Sequence, residues 1–300
     1  MAVPAVAVEQ ELIPISTVAG VHSELMLVHP AGASVTTVLY WLAAMGVPAR
    51  HYLPLAEALA RRGIAVALHE WRGIGSSDQR AGRHCDWSYR DLLTDDIPAG
   101  QVALRKRYPQ ASYWLGGHSL GGQLACLYAS LYPSSHTGIA LVASGAPYWR
   151  MFRWRPLLLA AYALAPPLAR LVGRLPGRTI GFGGNEARGV VADWARSGRS
   201  GRYTASGMSE DFEQRLAALR LPVLGLRMRD DWLVPAASLD WLLGKMPQAA
   251  CTHAVIAAED QQGHSADHFS WMKQPGVVAS RIADGIDARG VFASSPSAVS

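Results

Sequence analysis

The sequence predicts an α/β fold: a mainly parallel central sheet with helices on both faces, carrying a helical cap insertion. Three observations lead there. Short apolar and β-branched runs alternate with helix-patterned stretches along most of the 300 residues. The runs are continuously apolar, as strands buried on both faces require. The alternation breaks once, at 148–217, where eleven arginines face five acids. The expected organisation is therefore a core of residues 1–147 and 218–290, a cap of residues 148–217 and a flexible tail of residues 291–300.

Composition narrows the function classes. Half the chain is hydrophobic and 17% is charged, which excludes a disordered chain. Three cysteines cannot staple 300 residues into a disulfide scaffold. No apolar run reaches the roughly 18–20 residues that span a bilayer. The longest candidate, 156–173, holds Pro166, Pro167 and Arg170 and is expected as a helix pair. Residues 1–20 have no basic start before their apolar residues, so a secretory signal is not expected and the setting is cytoplasmic. Net charge is +5. The chain lacks the aromatic–basic interleaving of nucleic-acid modules and any helix-turn-helix pattern, so nucleic acid is not expected as a partner.

The elements follow in order. Residues 12–16 and 23–30 read as short strands. Thr36 to Leu42 is a buried strand followed by the loop Ala43 to Pro48. His51 to Arg62 has helical spacing closed by Gly63. Ile64 to His69 is a second buried strand, leading into the turn Trp71-Arg72-Gly73-Ile74-Gly75-Ser76-Ser77. Residues 91–108 read as helix, 112–116 as strand, 120–132 as helix and 138–144 as strand. Beyond the insertion, 222–227 and 251–257 are strands, while 239–243 and 277–287 suit helices.

One turn stands out. Gly117-His118-Ser119-Leu120-Gly121 joins a strand to a helix. A serine on such a sharp turn has its hydroxyl lifted above the sheet, and Gly117 and Gly121 let strand and helix approach closely. A serine hydroxyl attacks only when a base removes its proton. The expected partners are an acid and then a histidine, later in the chain. Asp231, at the start of D-x-x-V-P after the strand 222–227, is the preferred acid and Asp230 the alternate. His268, leading into the final helix, is the preferred base and His264 the alternate. His118 is expected to pack the elbow, because side chains of adjacent residues on this turn diverge. His264 and His268 are spaced i, i+4, but no third ligand accompanies them, so no metal is expected. An oxyanion would need main-chain donors. The N–H of Leu120 is the first, and Met45, with Gly46 as alternate, the second.

Together these segments resemble the α/β-hydrolase superfamily across residues 10–290, closest to poorly characterised predicted serine hydrolases with a cap. The resemblance rests on the loop Ala44 to Pro48, the turn Trp71 to Ser77, the elbow Gly117 to Gly121, the acid loop Asp231 to Pro235 and the segment His268 to Pro275. Glu70 stands where such proteins usually carry aspartate, and Ala44-Met45 where the loop usually starts His-Gly. The resemblance implies a Ser119–Asp231–His268 triad, a serine hydrolase cleaving a carboxylic ester or thioester through an acyl-enzyme, and no cofactor. An acyltransferase on the same triad and a non-catalytic ligand-binding protein are the alternatives. The substrate is expected to be a small acyl compound. Within 150–174, Trp154 and several leucines are flanked by arginines, a mixture suited to an acyl chain with an anionic head group or to contact with an acidic membrane surface.

Overall fold

The computed structural model describes residues 7–293. In chain order the strands are β1 (Val8–Ser16), β2 (His22–Pro30), β3 (Thr37–Leu42), β4 (Ala65–His69), β5 (Ser112–His118), β6 (Gly138–Val142), the short pair β7 (Leu175–Pro176) and β8 (Asn185–Glu186), β9 (Val223–Met228) and β10 (Cys251–Ile256). All but β7 and β8 join one sheet in the order β1-β2-β4-β3-β5-β6-β9-β10. β2 pairs antiparallel with β1 and with β4, and every later pairing is parallel. β4 and β6 are buried along their whole length and β3 all but its first residue. That explains why they read as continuous apolar runs.

The helices are α1 (Leu53–Ala60), α2 (Tyr89–Asp91), α3 (Ile97–Arg107), α4 (Leu120–Leu131), α5 (Arg155–Val172), α6 (Gly177–Ile180), α7 (Arg188–Ser200), α8 (Phe212–Ala217), α9 (Ala236–Leu243) and α10 (Gly276–Ala293). One turn of π-helix, Leu92–Asp96, links α2 to α3, so the segment 91–108 is not one regular α-helix. The Arg72 guanidinium is buried against it, bonded to Asp96 and to Asp95 at 3.2 Å. This pair fastens the turn after β4 to the helical layer.

Two expectations need correction. The segment 156–173 forms one continuous helix, α5, and no helix pair. Pro166 and Pro167 deprive the carbonyls of Tyr162 and Ala163 of helix donors. The helix nonetheless continues, because Tyr162, Pro166 and Ala169 form one buried face and α5 packs along α7. Tertiary packing here outweighs the local cost of proline. At the other end, α10 runs to Ala293, so the expected tail begins no earlier than residue 294, outside the described residues.

Residues between β6 and β9 make a mostly helical insertion fastened to the sheet domain by buried polar groups. Asp193 on α7 is fully buried and accepts from Tyr89 N–H at the start of α2 (3.1 Å) and from Ser206 N–H (3.1 Å). Tyr162 on α5 donates to the Pro147 carbonyl (2.6 Å). Among the described residues, no helix is long and apolar enough to cross a membrane.

Candidate active site

Ser119 sits between β5 and α4 with φ 54° and ψ −119°, a left-handed conformation that side chains rarely adopt. Strain of this kind persists only where neighbours hold it in place. Ser119 N–H donates to the Val142 carbonyl of β6 (3.2 Å), and its own carbonyl accepts from Ser144 Oγ (2.7 Å). Ala143, between those two partners, also has positive φ, 43°. The flanking glycines are required by contact. A Cβ on Gly117 would lie 2.3 Å from the Gly121 carbonyl carbon, and one on Gly121 would lie 2.1 Å from the Leu42 oxygen.

The loop after β9 presents Asp231. Its Oδ1 accepts from Leu233 N–H (2.8 Å) and Val234 N–H (2.9 Å), as an Asp at a turn should. Its Oδ2 accepts from His268 Nδ1–H at 2.7 Å, with both side chains buried. The proton on Nδ1 leaves the Nε2 lone pair free. Asp230 is exposed, as is His264, which pairs with Gln274 at 2.8 Å. Of the sequence candidates, the structure thus brings Asp231 and His268 together and keeps the two alternates apart from them. Asp267, just before His268, works against its partial burial through hydrogen bonds from Ser270, Phe269 and Ser265. They pull its carboxyl down to about 2 and lock the turn that carries the imidazole.

His118 joins these parts. Its ring lies 4.7 Å from the ring of His268 and 5.3 Å from Trp271, which sets the base beside the residue preceding Ser119. Among the described residues Ser119 Oγ makes no hydrogen bond. Burial, with the facing His268 imidazole, holds His118 far below the ordinary histidine value, so it stays neutral. Tyr52 Oη accepts from Ala44 N–H (2.9 Å) and lies 2.8 Å from His118 Nδ1. The Tyr52 hydrogen has no other acceptor among the described residues, so it goes to Nδ1. One hydroxyl thereby ties the loop after β3 to the elbow.

That loop is held at two further points. Trp71 Nε1 donates to the Ala43 carbonyl (2.8 Å), and Ala49 N–H donates to Glu70 Oε1 (3.1 Å). The longer Glu70 side chain reaches across the turn, and a Cβ on Gly75 would lie 1.9 Å from Glu70 Oε2. The departure from aspartate is thus matched by the geometry around it. Among the described residues, the main-chain N–H groups of Met45, Gly46 and Leu120 donate to no protein acceptor. Met45 and Leu120 line a cavity of about 20 Å³ together with Trp71, Trp87 and, from the insertion, Glu186 and Val190. Gly46 has φ 74°, and a Cβ there would lie 2.0 Å from Gly184 N, so the loop lies directly against the insertion.

Sequence reading missed Tyr52, Ser144 and the anchoring role of Glu70. Tyr52 occupies an apolar position in the helical pattern, which hides its polar tip. Ser144 sits in a run of small residues without any motif.

Comparison with known proteins bears on the family and the fold. A family profile described as Serine aminopeptidase, S33 matches residues 36–186. The pimeloyl-[acyl-carrier protein] methyl ester esterase of Nitrosomonas europaea is 26% identical over 195 residues, covering 58% of this chain and 76% of that protein. Monoglyceride lipase of Rattus norvegicus is 28% identical over 124 residues, covering 41% of this chain and 36% of the lipase, so the match spans about a third of that protein. The esterase domain of a Rhodothermus marinus protein superposes with a TM-score of 0.63 at 15% identity, over 92% of this chain and 97% of that one, a likeness of fold. With the parallel sheet, the strained elbow and a profile spanning half its length, the chain belongs to the serine aminopeptidase S33 family of the α/β-hydrolase superfamily.

Proposed function

We propose that the chain is a serine hydrolase that cleaves a carboxylic ester or thioester through an acyl-enzyme on Ser119. The observation that carries the reading is the buried 2.7 Å Asp231–His268 hydrogen bond, whose imidazole lies 4.7 Å from the ring of His118, the residue that precedes a serine held in a left-handed conformation. Two relatives named as an esterase and a lipase favour esters over amides.

Ser119 Oγ attacks the carbonyl carbon while its proton passes to His268 Nε2. Asp231 fixes the tautomer and stabilises the imidazolium. The tetrahedral oxyanion rests on the N–H groups of Leu120 and Met45, with Gly46 next to the latter. At Leu120 the start of α4 adds its dipole. Collapse breaks the bond to the leaving alcohol or thiol, which takes the proton from Nε2. Water then gives a proton to His268 as it attacks the acyl carbon, and that proton returns to Ser119 when the acid leaves. Residues 148–217 act as a cap, a role supported by Glu186 and Val190 in the cavity wall. A cytoplasmic setting suits the three free thiols, Cys85, Cys126 and Cys251.

The test is a fluorophosphonate probe, read by mass spectrometry, together with a panel of p-nitrophenyl esters, acyl thioesters and an aminoacyl anilide. Labelling at Ser119 with ester or thioester turnover is the expected result. No labelling, or turnover of the anilide alone, overturns the proposal.

A further inference from the structure

The outer face of α5 is an apolar surface with no partner among the described residues. Residues 157, 161, 164, 168 and 171 recur at spacings of four and three and so share one stripe of the helix. Leu157 is 70% exposed, Leu164 66% and Leu171 74%, while Tyr162, Pro166 and Ala169 on the opposite side are buried. Exposed leucines in a row are unusual, since water contact forfeits their burial energy. The helix contains no acidic residue. Trp154 stands exposed at its start, with the Arg153 guanidinium 5.4 Å from its ring centre. Exposed Arg153 and Arg155 flank that end, and exposed Arg170 and Arg174 the other.

We propose that this face of α5 seats on an anionic lipid bilayer, with the leucines in the acyl boundary and the arginines at the phosphates. An apolar stripe, cationic ends and an interfacial tryptophan are what a helix lying in the membrane plane requires. The four exposed arginines at its two ends, with no acidic residue in the helix between them, give that surface the charge an anionic membrane attracts. Charge disfavours a second copy as the occupant: two-fold pairing of α5 sets Arg155 against Arg170 or against its own equivalent, like charges in either arrangement. The inference stands apart from the triad, because vesicle binding needs no turnover.

Vesicle flotation of the full chain tests it, using phosphatidylcholine alone and phosphatidylcholine mixed with phosphatidylglycerol. The protein is expected to float with the mixed vesicles, and raised salt should weaken this. Leu164→Asp/Leu171→Asp should bind about a hundredfold more weakly, since two inserting side chains lose their transfer energy, with unchanged melting temperature and unchanged turnover of soluble p-nitrophenyl acetate. If that variant fails to fold, Arg153→Gln/Arg174→Gln should bind about twentyfold more weakly. Wild-type protein that stays unbound to anionic vesicles overturns the proposal, as does a folded variant that floats like wild type. A dimer in sedimentation velocity that the leucine substitutions dissolve, without flotation of the wild type, assigns the face to a second copy instead.

Discussion

The elbow and the outer face of α5 break ordinary rules of folding in opposite ways. At the elbow a non-glycine residue adopts positive φ and polar side chains are buried, yet nearly every group there is held: Ser119 by Val142 and Ser144, Asp231 by Leu233, Val234 and His268, and Ala44 by Tyr52. On α5 the backbone is regular, and the anomaly is leucine left in water. An over-determined strained site points to chemistry performed inside the molecule. An under-determined apolar surface points to contact made outside it. The contrast yields measurable consequences.

The largest effect belongs to Ser119→Ala. Turnover of a p-nitrophenyl ester should fall by about a millionfold, the scale seen when a triad serine is removed, while the thermal transition stays in place. A loss below about tenfold would separate the strained serine from the chemistry. Asp231→Asn should lower kcat by about ten-thousandfold through the wrong tautomer of His268. Retained kcat in that variant would make the Asp231–His268 bond a purely structural feature.

Acid should act on the buried side of the comparison. Burial pushes His69 down to about 3. Burial, helped by Arg105, does the same to His136, and His118 also lies far below its usual value. All three are neutral when folded and bind protons readily once unfolded. Their contribution is therefore fully present above the unfolded histidine value of about 6.5 and is lost as pH falls toward about 3, at roughly 1.4 kcal/mol per pH unit for each. Urea unfolding between pH 8 and 4 measures the slope; a flat profile would mean these histidines are solvated or paired. Tyr52→Phe leaves Ala44 N–H buried without an acceptor and should cost about 1–3 kcal/mol. It should also reduce kcat about ten- to hundredfold, because the loop and elbow lose their shared anchor. Lowered stability with unchanged kcat would confine Tyr52 to the fold. Smallest is Leu164→Asp, expected to alter stability by no more than about 0.5 kcal/mol, since it replaces an exposed side chain. A larger loss in thermal or chemical unfolding would show that the stripe is packed, and would erase the contrast.

The two regions also differ in how far the sequence discloses them. β3, β4 and β6 were legible because burial on both faces writes itself as unbroken apolar runs. Ser119 and Asp231 could be picked out because each follows a strand end at a characteristic turn, and His268 because it leads into the final helix; the folded chain brings Asp231 to His268. The main-chain donors at Met45 and Leu120 leave no side-chain signature, so only position marks them. Tyr52 is silent for a related reason: a pattern that scores tyrosine as apolar cannot see what its hydroxyl does. The continuity of α5 was hidden because Pro166 and Pro167 argue locally for a break, and only packing on α7 overrules them. Whether the leucines of α5 face inward or outward was equally unreadable, since a stripe in a sequence does not say which side meets water.

The contact between Gly46 and Gly184 has a practical consequence for engineering. The insertion is not a detachable module that could be exchanged between homologous scaffolds by matching its two ends. Its glycine backbone rests directly on the loop that holds Met45 and Gly46, and a Cβ at 184 would lie 2.9 Å from Gly46 Cα, so a transplanted segment with any side chain there would displace that loop. Chimeras of this enzyme class should therefore be cut to keep residues 183 and 184 with the core they touch.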